Sequence, residues 1–142
     1  LKPKEILVLG ASGRLGSKFP DDLCIKPNSL DLNIGRIEDI KSYVFYNKDI
    51  KYIINCAAYT NIDKCEEHPF TAFYTNTQGA ANLAKVCVNN NIKLIHISTN
   101  YIFGSNNNDL NEFNEKDIYP LNVYGMSKLH AIKLAFYRAI YS

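Results

Sequence analysis

The sequence predicts an α/β fold built on a parallel sheet, and three observations carry that expectation. Short apolar runs with a β-branched bias recur at Glu5 to Leu9 (EILVL), Lys51 to Asn55 (KYIIN) and Ile92 to Ile97. Helical periods separate them, with apolar Ile37, Ile40, Val44 and Phe45 in one segment and a longer pattern from Pro69 to Asn89 in another. Glycine or small and polar residues stand where each run ends. Strands that alternate with helices form parallel sheets covered on both faces. Ligands of such sheets bind outside the carboxyl ends of the strands, so those junctions are where function is to be sought.

The first junction is the most informative. EILVL is preceded by Pro3 and followed at once by Gly10-Ala-Ser-Gly13-Arg-Leu-Gly16. This GxxGxxG is a variant spacing of the dinucleotide fingerprint. Gly10 permits a tight turn, Gly13 lets backbone approach a pyrophosphate, and Gly16 lets a following helix pack on the strand. A helix N-terminus there would offer free N–H groups and partial positive charge to phosphates. A glycine-rich turn alone is weak evidence. Between a strand and a helical pattern it predicts a Rossmann-like, doubly wound sheet. The helix it opens should be short, because Pro20 interrupts it.

Leu23 to Ile25 is a poorly marked second strand. An acid that holds the adenosine ribose is expected about 20 residues past the turn. Asp31 has about the right distance, although it could equally serve as a cap. Lys26, at the strand end, is either a 2′-phosphate ligand favouring NADP or a solvated lysine. After KYIIN comes Cys56-Ala57-Ala58-Tyr59-Thr60, small residues that let backbone lie against a flat ligand. Asn76 is polar within an apolar helical pattern, and either bonds backbone or faces the cofactor. Leu94, Ile95 and Ile97 read as a buried strand, and Ser98, Thr99 and Asn100 follow where it should end. Ser105 to Asp109 (SNNND) is a polar loop and Asp117 to Leu121 a connector. The last helix begins near Asn122. It puts Tyr124 and Lys128 four residues apart, on one helical face.

That last set handles protons. A hydride arriving at a carbonyl carbon leaves negative charge on oxygen, and an acid must meet it. Tyrosine, with an ordinary pKa of about 10, needs a nearby cation to serve. Lysine one turn along supplies one.

Composition narrows the classes. The chain has 142 residues, 46% hydrophobic and 21% charged, with a net charge of +2. That is one domain's worth, with no basic run of the kind that marks nucleic-acid tails and no apolar stretch of bilayer-spanning length. The start, LKPKEILVLG, is too short and too soon a strand for a signal peptide. Cys24, Cys56, Cys65 and Cys87 form no Cys-x-x-Cys pair and do not cluster with histidine, so neither a metal site nor a disulfide is expected. No nucleic acid or membrane partner is expected, and the reading is cytoplasmic. Only four convincing strands precede the final helix. The expected unit is therefore an NAD(P)-binding domain over residues 1–142, partial, with the C-terminal substrate domain absent.

Five blocks together resemble the extended short-chain dehydrogenase/reductases. They are GASGRLG, NCAAYTNIDKCEEHP, NTQGAANLA from Asn76, HISTNYIFG and PLNVYGMSK. Within that group they are most similar to the dTDP-4-dehydrorhamnose reductase family, in the same order, from Ile6 to Lys128. The resemblance implies reduction of the 4-keto group of a nucleotide-linked deoxysugar with NADPH (or NADH), for surface polysaccharide. It implies Tyr124 as proton donor, Lys128 as ligand of the nicotinamide ribose, and Thr99 on the substrate carbonyl. Gly10, Ser12, Gly13, Arg14 and Leu15 would hold the pyrophosphate, with Gly16 closing the turn. Asp31 and Leu32 would lie near adenine, and Ala57, Ala58, Tyr59, Thr60 and Asn76 would line the cofactor. The substrate would be a nucleotide sugar, and a homodimer is the expected assembly. One departure stands out: Asn100 replaces the family's aspartate. Two rivals remain. One is another sugar-nucleotide epimerase or reductase. The other is a non-catalytic dinucleotide-binding regulatory subunit.

Overall fold

The computed structural model describes residues 4–104 and 118–140. The SNNND loop and the first residue of the DIYPL connector lie outside them. Four parallel strands form one sheet: β1 (Ile6–Leu9), β2 (Cys24–Ile25), β3 (Tyr52–Asn55) and β4 (Lys93–His96). Their order is β2-β1-β3-β4. The chain leaves β1 toward one edge and returns to its other side, so a topological switch point lies between β1 and β3. In register, Leu9 pairs with Asn55 and Asn55 with His96. These three residues line up at the carboxyl edge.

The helices are α1 (Ile37–Tyr46), α2 (Ile62–Glu67), α3 (Pro69–Ala72), α4 (Gly79–Asn89) and α5 (Val123–Ile140). Ile40 and Val44 of α1 and Leu83, Val86 and Cys87 of α4 meet Leu7, Leu9 and Ile53 of the sheet in one core. Each aliphatic side chain buried there contributes about 1.5–3 kcal/mol. The long pattern from Pro69 is not one regular helix. A π-helical turn over Phe73–Gln78 joins α3 to α4, and π turns of this kind concentrate at functional sites. The start of α5 is capped twice. Asn122 Oδ1 accepts from Gly125 N at 2.7 Å, and Glu66 Oε1 accepts from Val123 N at 2.7 Å. A side-chain oxygen and a carboxylate both stabilise a helix start.

Two expectations need correction. The glycine loop opens no α-helix, only a 3-10 turn over Gly16–Lys18. Pro20 stands too close for a second turn to form, and Ser17 Oγ donates back to Arg14 O. The anion-binding helix start predicted there is therefore missing. Second, β4 is not buried on both faces. It is the edge of the described sheet, and Ile95 is 48% exposed. Among the described residues no helix is long and apolar enough to cross a membrane.

Candidate active site

A cleft of about 690 Å³ opens at the switch point, within the usual range for small-molecule sites. Its floor is Leu9, Gly10 and Ala57, at the ends of β1 and β3, and Ala11 and Ser12 continue it. Gly10 has φ +73°, and a Cβ there would lie 2.6 Å from Ala57 N. Only glycine lets the two strand ends approach this closely. The opposite wall brings Lys26, Asn28, Ser29, Leu32 and Asn33 together with Thr71, Tyr74 and Thr75. Backbone left bare at Gly10, a polar rim and apolar Leu32 suit a group with a phosphate at one end and a flat ring at the other.

The sequence-predicted residues divide around this cleft. Gly10, Ser12, Leu32 and Ala57 line it. Gly13 closes the turn by donating its N–H to Gly10 O at 3.0 Å. Arg14 and Leu15 lie exposed beyond the lining, and buried Gly16 packs its Cα against Gly10 O and Ala11. Asp31 is exposed and outside the lining, in an Asx turn where Asn28 Oδ1 accepts from its N–H at 3.0 Å. Lys26 borders the cleft, but its ammonium bonds Asp21 Oδ1 at 2.6 Å and donates to Phe19 O. Its side chain is 15% exposed, with the ammonium engaged inside the chain.

Ala58, Tyr59 and Thr60 leave β3 toward α2, and Asn76 fixes them. Asn76 is buried; its Oδ1 accepts from Tyr59 N at 2.7 Å and its Nδ2 donates to Tyr59 O at 3.0 Å. The same Nδ2 reaches Ser127 Oγ at 2.9 Å, and Thr77 Oγ1 donates to Ser127 O at 2.7 Å. The π turn thus ties the loop after β3 to α5 at the residue before Lys128. Of the two readings open for Asn76, the structure places its amide on backbone.

Tyr124 is partly buried, its ring edge-on to Tyr101 with centroids 5.7 Å apart. Gly125 lets this approach happen, since a Cβ there would strike Tyr101 O. Thr99 caps the 3-10 turn Asn100–Ile102, its Oγ1 accepting from Tyr101 N at 3.3 Å. Lys128 is 2% exposed. Its Nζ donates to Ile97 O at 2.6 Å and lies 3.3 Å from His96 Nε2. Burial pulls its pKa down to about 8, against a small opposing effect of Cys56. Burial, and then the charge of Lys128, lowers His96 to about 4. Lys128 thus docks on the residue after β4 through Ile97 O, and Tyr124 packs on Tyr101 in the turn that Thr99 caps.

Sequence reasoning missed Asn55, His96 and Ser127. Asn55 Nδ2 meets His96 Nδ1 at 3.0 Å, and its Oδ1 accepts from Ala57 N at 3.0 Å. The available signal was the last residue of each strand, Asn55 in KYIIN and His96 in LIHI, where a polar side chain ends an apolar run.

Residues 4–135 match the family described as RmlD substrate binding domain. The chain belongs to this family. It is 35% identical over 132 residues to a dTDP-4-dehydrorhamnose reductase of Mycolicibacterium smegmatis, which covers 89% of this chain and 39% of that protein. The dTDP-4-dehydrorhamnose reductase structure from Clostridium acetobutylicum superposes with a TM-score of 0.78 at 30% identity, covering 93% of this chain and 49% of that one. The Bacillus anthracis reductase, solved in complex with NADP, gives 0.80 at 26% identity, with 96% and 50% covered. The chain thus spans half or less of the length of these RmlD-family relatives.

Proposed function

We propose that the protein is an NADPH-dependent reductase of the 4-keto group of a nucleotide-linked deoxysugar, acting in the cytoplasm for surface polysaccharide. The observation that carries this reading is that α5 bears Tyr124 and Lys128 one turn apart, with Lys128 bonded to the end of β4, in a chain that also holds a glycine-floored cleft. The NADP complex of the Bacillus anthracis relative supports the choice of cofactor. The backbone around Gly10 and Ser12 would hold the pyrophosphate, Leu32 would lie against adenine, and Ala57 and Ala58 would back the nicotinamide. When bound, the cofactor supplies the hydride. Thr99 Oγ1 accepts from Tyr101 N–H and donates only a long 3.5 Å bond to Asn100 Oδ1, which a substrate carbonyl would displace. The Tyr124 phenol delivers the proton that the forming alkoxide needs. Lys128 holds a ribose hydroxyl and, when charged, makes that phenol more acidic.

Asn100 carries no charge to the substrate, so proton delivery rests on Tyr124. The assay is NADPH oxidation by the intact protein with dTDP-4-keto-6-deoxy-L-mannose. Turnover that falls by a factor of about 10²–10⁴ in Tyr124→Phe, with NADPH binding retained, is the expected result. Dinucleotide binding without turnover on any keto-sugar would replace this reading with the regulatory one. Assembly as a homodimer belongs to the same proposal, and light scattering of the intact protein tests it.

A further inference from the structure

We propose that Asn55 and His96 are positioning residues that lock the imidazole as its Nε2–H tautomer and so disfavour the charged form of Lys128 in the ligand-free protein. The argument is one of hydrogen-bond direction. Ala57 N–H can only donate, and it donates to Asn55 Oδ1 at 3.0 Å. That fixes which end of the amide faces the histidine: the NH2 group, 3.0 Å from His96 Nδ1. Reversing the amide would set two donors against each other at Ala57. An NH2 group donates, so Nδ1 must accept.

A neutral imidazole has one acceptor nitrogen and one N–H. With Nδ1 accepting, the proton sits on Nε2 and points at Lys128 Nζ, 3.3 Å away. An ammonium has no lone pair to receive it; a neutral amine has one, and still donates to Ile97 O at 2.6 Å. The strand register makes the chain of contacts, because Asn55 and His96 are direct partners at the ends of β3 and β4. Burial agrees with it, since His96 and Lys128 both lose affinity for protons there. The groups facing Lys128 are His96 from β4, Cys56 from the end of β3 and, on α5 itself, Tyr124. Burial raises the Cys56 thiol, so it stays uncharged. Lys128 forms no ion pair among the described residues. To take up a proton, Nζ must leave Nε2–H and turn toward another acceptor. A ribose hydroxyl arriving at the site is such an acceptor, so cofactor binding and proton uptake are linked.

This rests on Lys128 being the amine that serves Tyr124, but its test needs no turnover. In the intact, ligand-free protein, nitrogen NMR of labelled histidine reads the His96 tautomer directly. Carbon NMR of lysine Cε against pH reads the Lys128 midpoint. The expected wild-type result is Nε2–H, with a Lys128 midpoint far below the ordinary value. Asn55→Asp turns the Nδ1-facing group from donor to acceptor, reverses the tautomer, and should strengthen proton binding at Lys128 at least tenfold. An Nδ1–H tautomer in the wild type overturns the proposal, whether or not the variant folds. So does a folded Asn55→Asp protein whose Lys128 midpoint does not rise.

Discussion

Asn76→Ala tests whether this residue holds the loop after β3 or merely fills space. The side chain makes three hydrogen bonds, two of them to the N–H and C=O of Tyr59. Truncation leaves Tyr59 N–H without a partner and Tyr59 O with only the Cys65 thiol at 3.5 Å, in a half-buried place. Each unsatisfied group costs about 1–3 kcal/mol, and water entering the space recovers part of it. The expected loss is about 1–4 kcal/mol, read from urea unfolding of the intact protein. Asn76→Asp sharpens the test. A carboxylate still accepts from Tyr59 N–H, but it turns its second oxygen on Tyr59 O, where a donor is needed. It should cost at least as much as alanine at neutral pH, with its own pKa raised. Because the loop adjoins Ala57, NADPH affinity should fall by about tenfold, roughly 1.4 kcal/mol. An aspartate variant as stable as wild type, or an alanine variant that loses less than about 0.5 kcal/mol, would refute the reasoning.

Other outcomes follow from the same geometry. Gly10→Ala should lose more than about 2 kcal/mol, from left-handed backbone strain and contact with Ala57, and should abolish NADPH binding measured by fluorescence. Gly13→Ala should be milder, since its Cβ meets only Gly10 O at 3.2 Å. Thr99→Val should lower turnover by about 1–3 kcal/mol of barrier while leaving NADPH affinity unchanged. His96 is held at about 4 against an ordinary 6.5, so the unfolded chain takes up the proton first. Stability from this group is full above pH 6.5 and should decline by about 3 kcal/mol as pH falls toward 4. Denaturant midpoints across that window, with His96→Asn as the control lacking the slope, check it.

The strands and long helices were legible because their periods are strong. Ile37, Ile40 and Val44 could only be one helix face, and a β-branched run ending in glycine could only be a central strand. The glycine loop misled at its second half. Its spacing matches a strand-to-helix turn, but Pro20 lies four residues past Gly16 and leaves room for one 3-10 turn. Tyr124 and Lys128 were visible as a spaced pair. The partners of Lys128 were not, because Asn55 and His96 are 41 residues apart and only parallel register joins them. Asn76 showed as an oddity in a helix, with two uses open. Which use it serves depends on the π turn, a departure from helical period that a periodicity argument averages away.

That turn also sets a phase. One extra residue in the winding between Pro69 and Asn89 rotates everything before it by about 100° relative to everything after it, as 3.6 residues per turn requires. Ala80, Leu83 and Val86 can therefore meet the core while Asn76 and Thr77 look the other way, toward α5. Deleting a single residue there would restore a straight cylinder and swing the amide off its two clients. Length in this stretch is thus constrained to the residue, even where the side chains are free to vary.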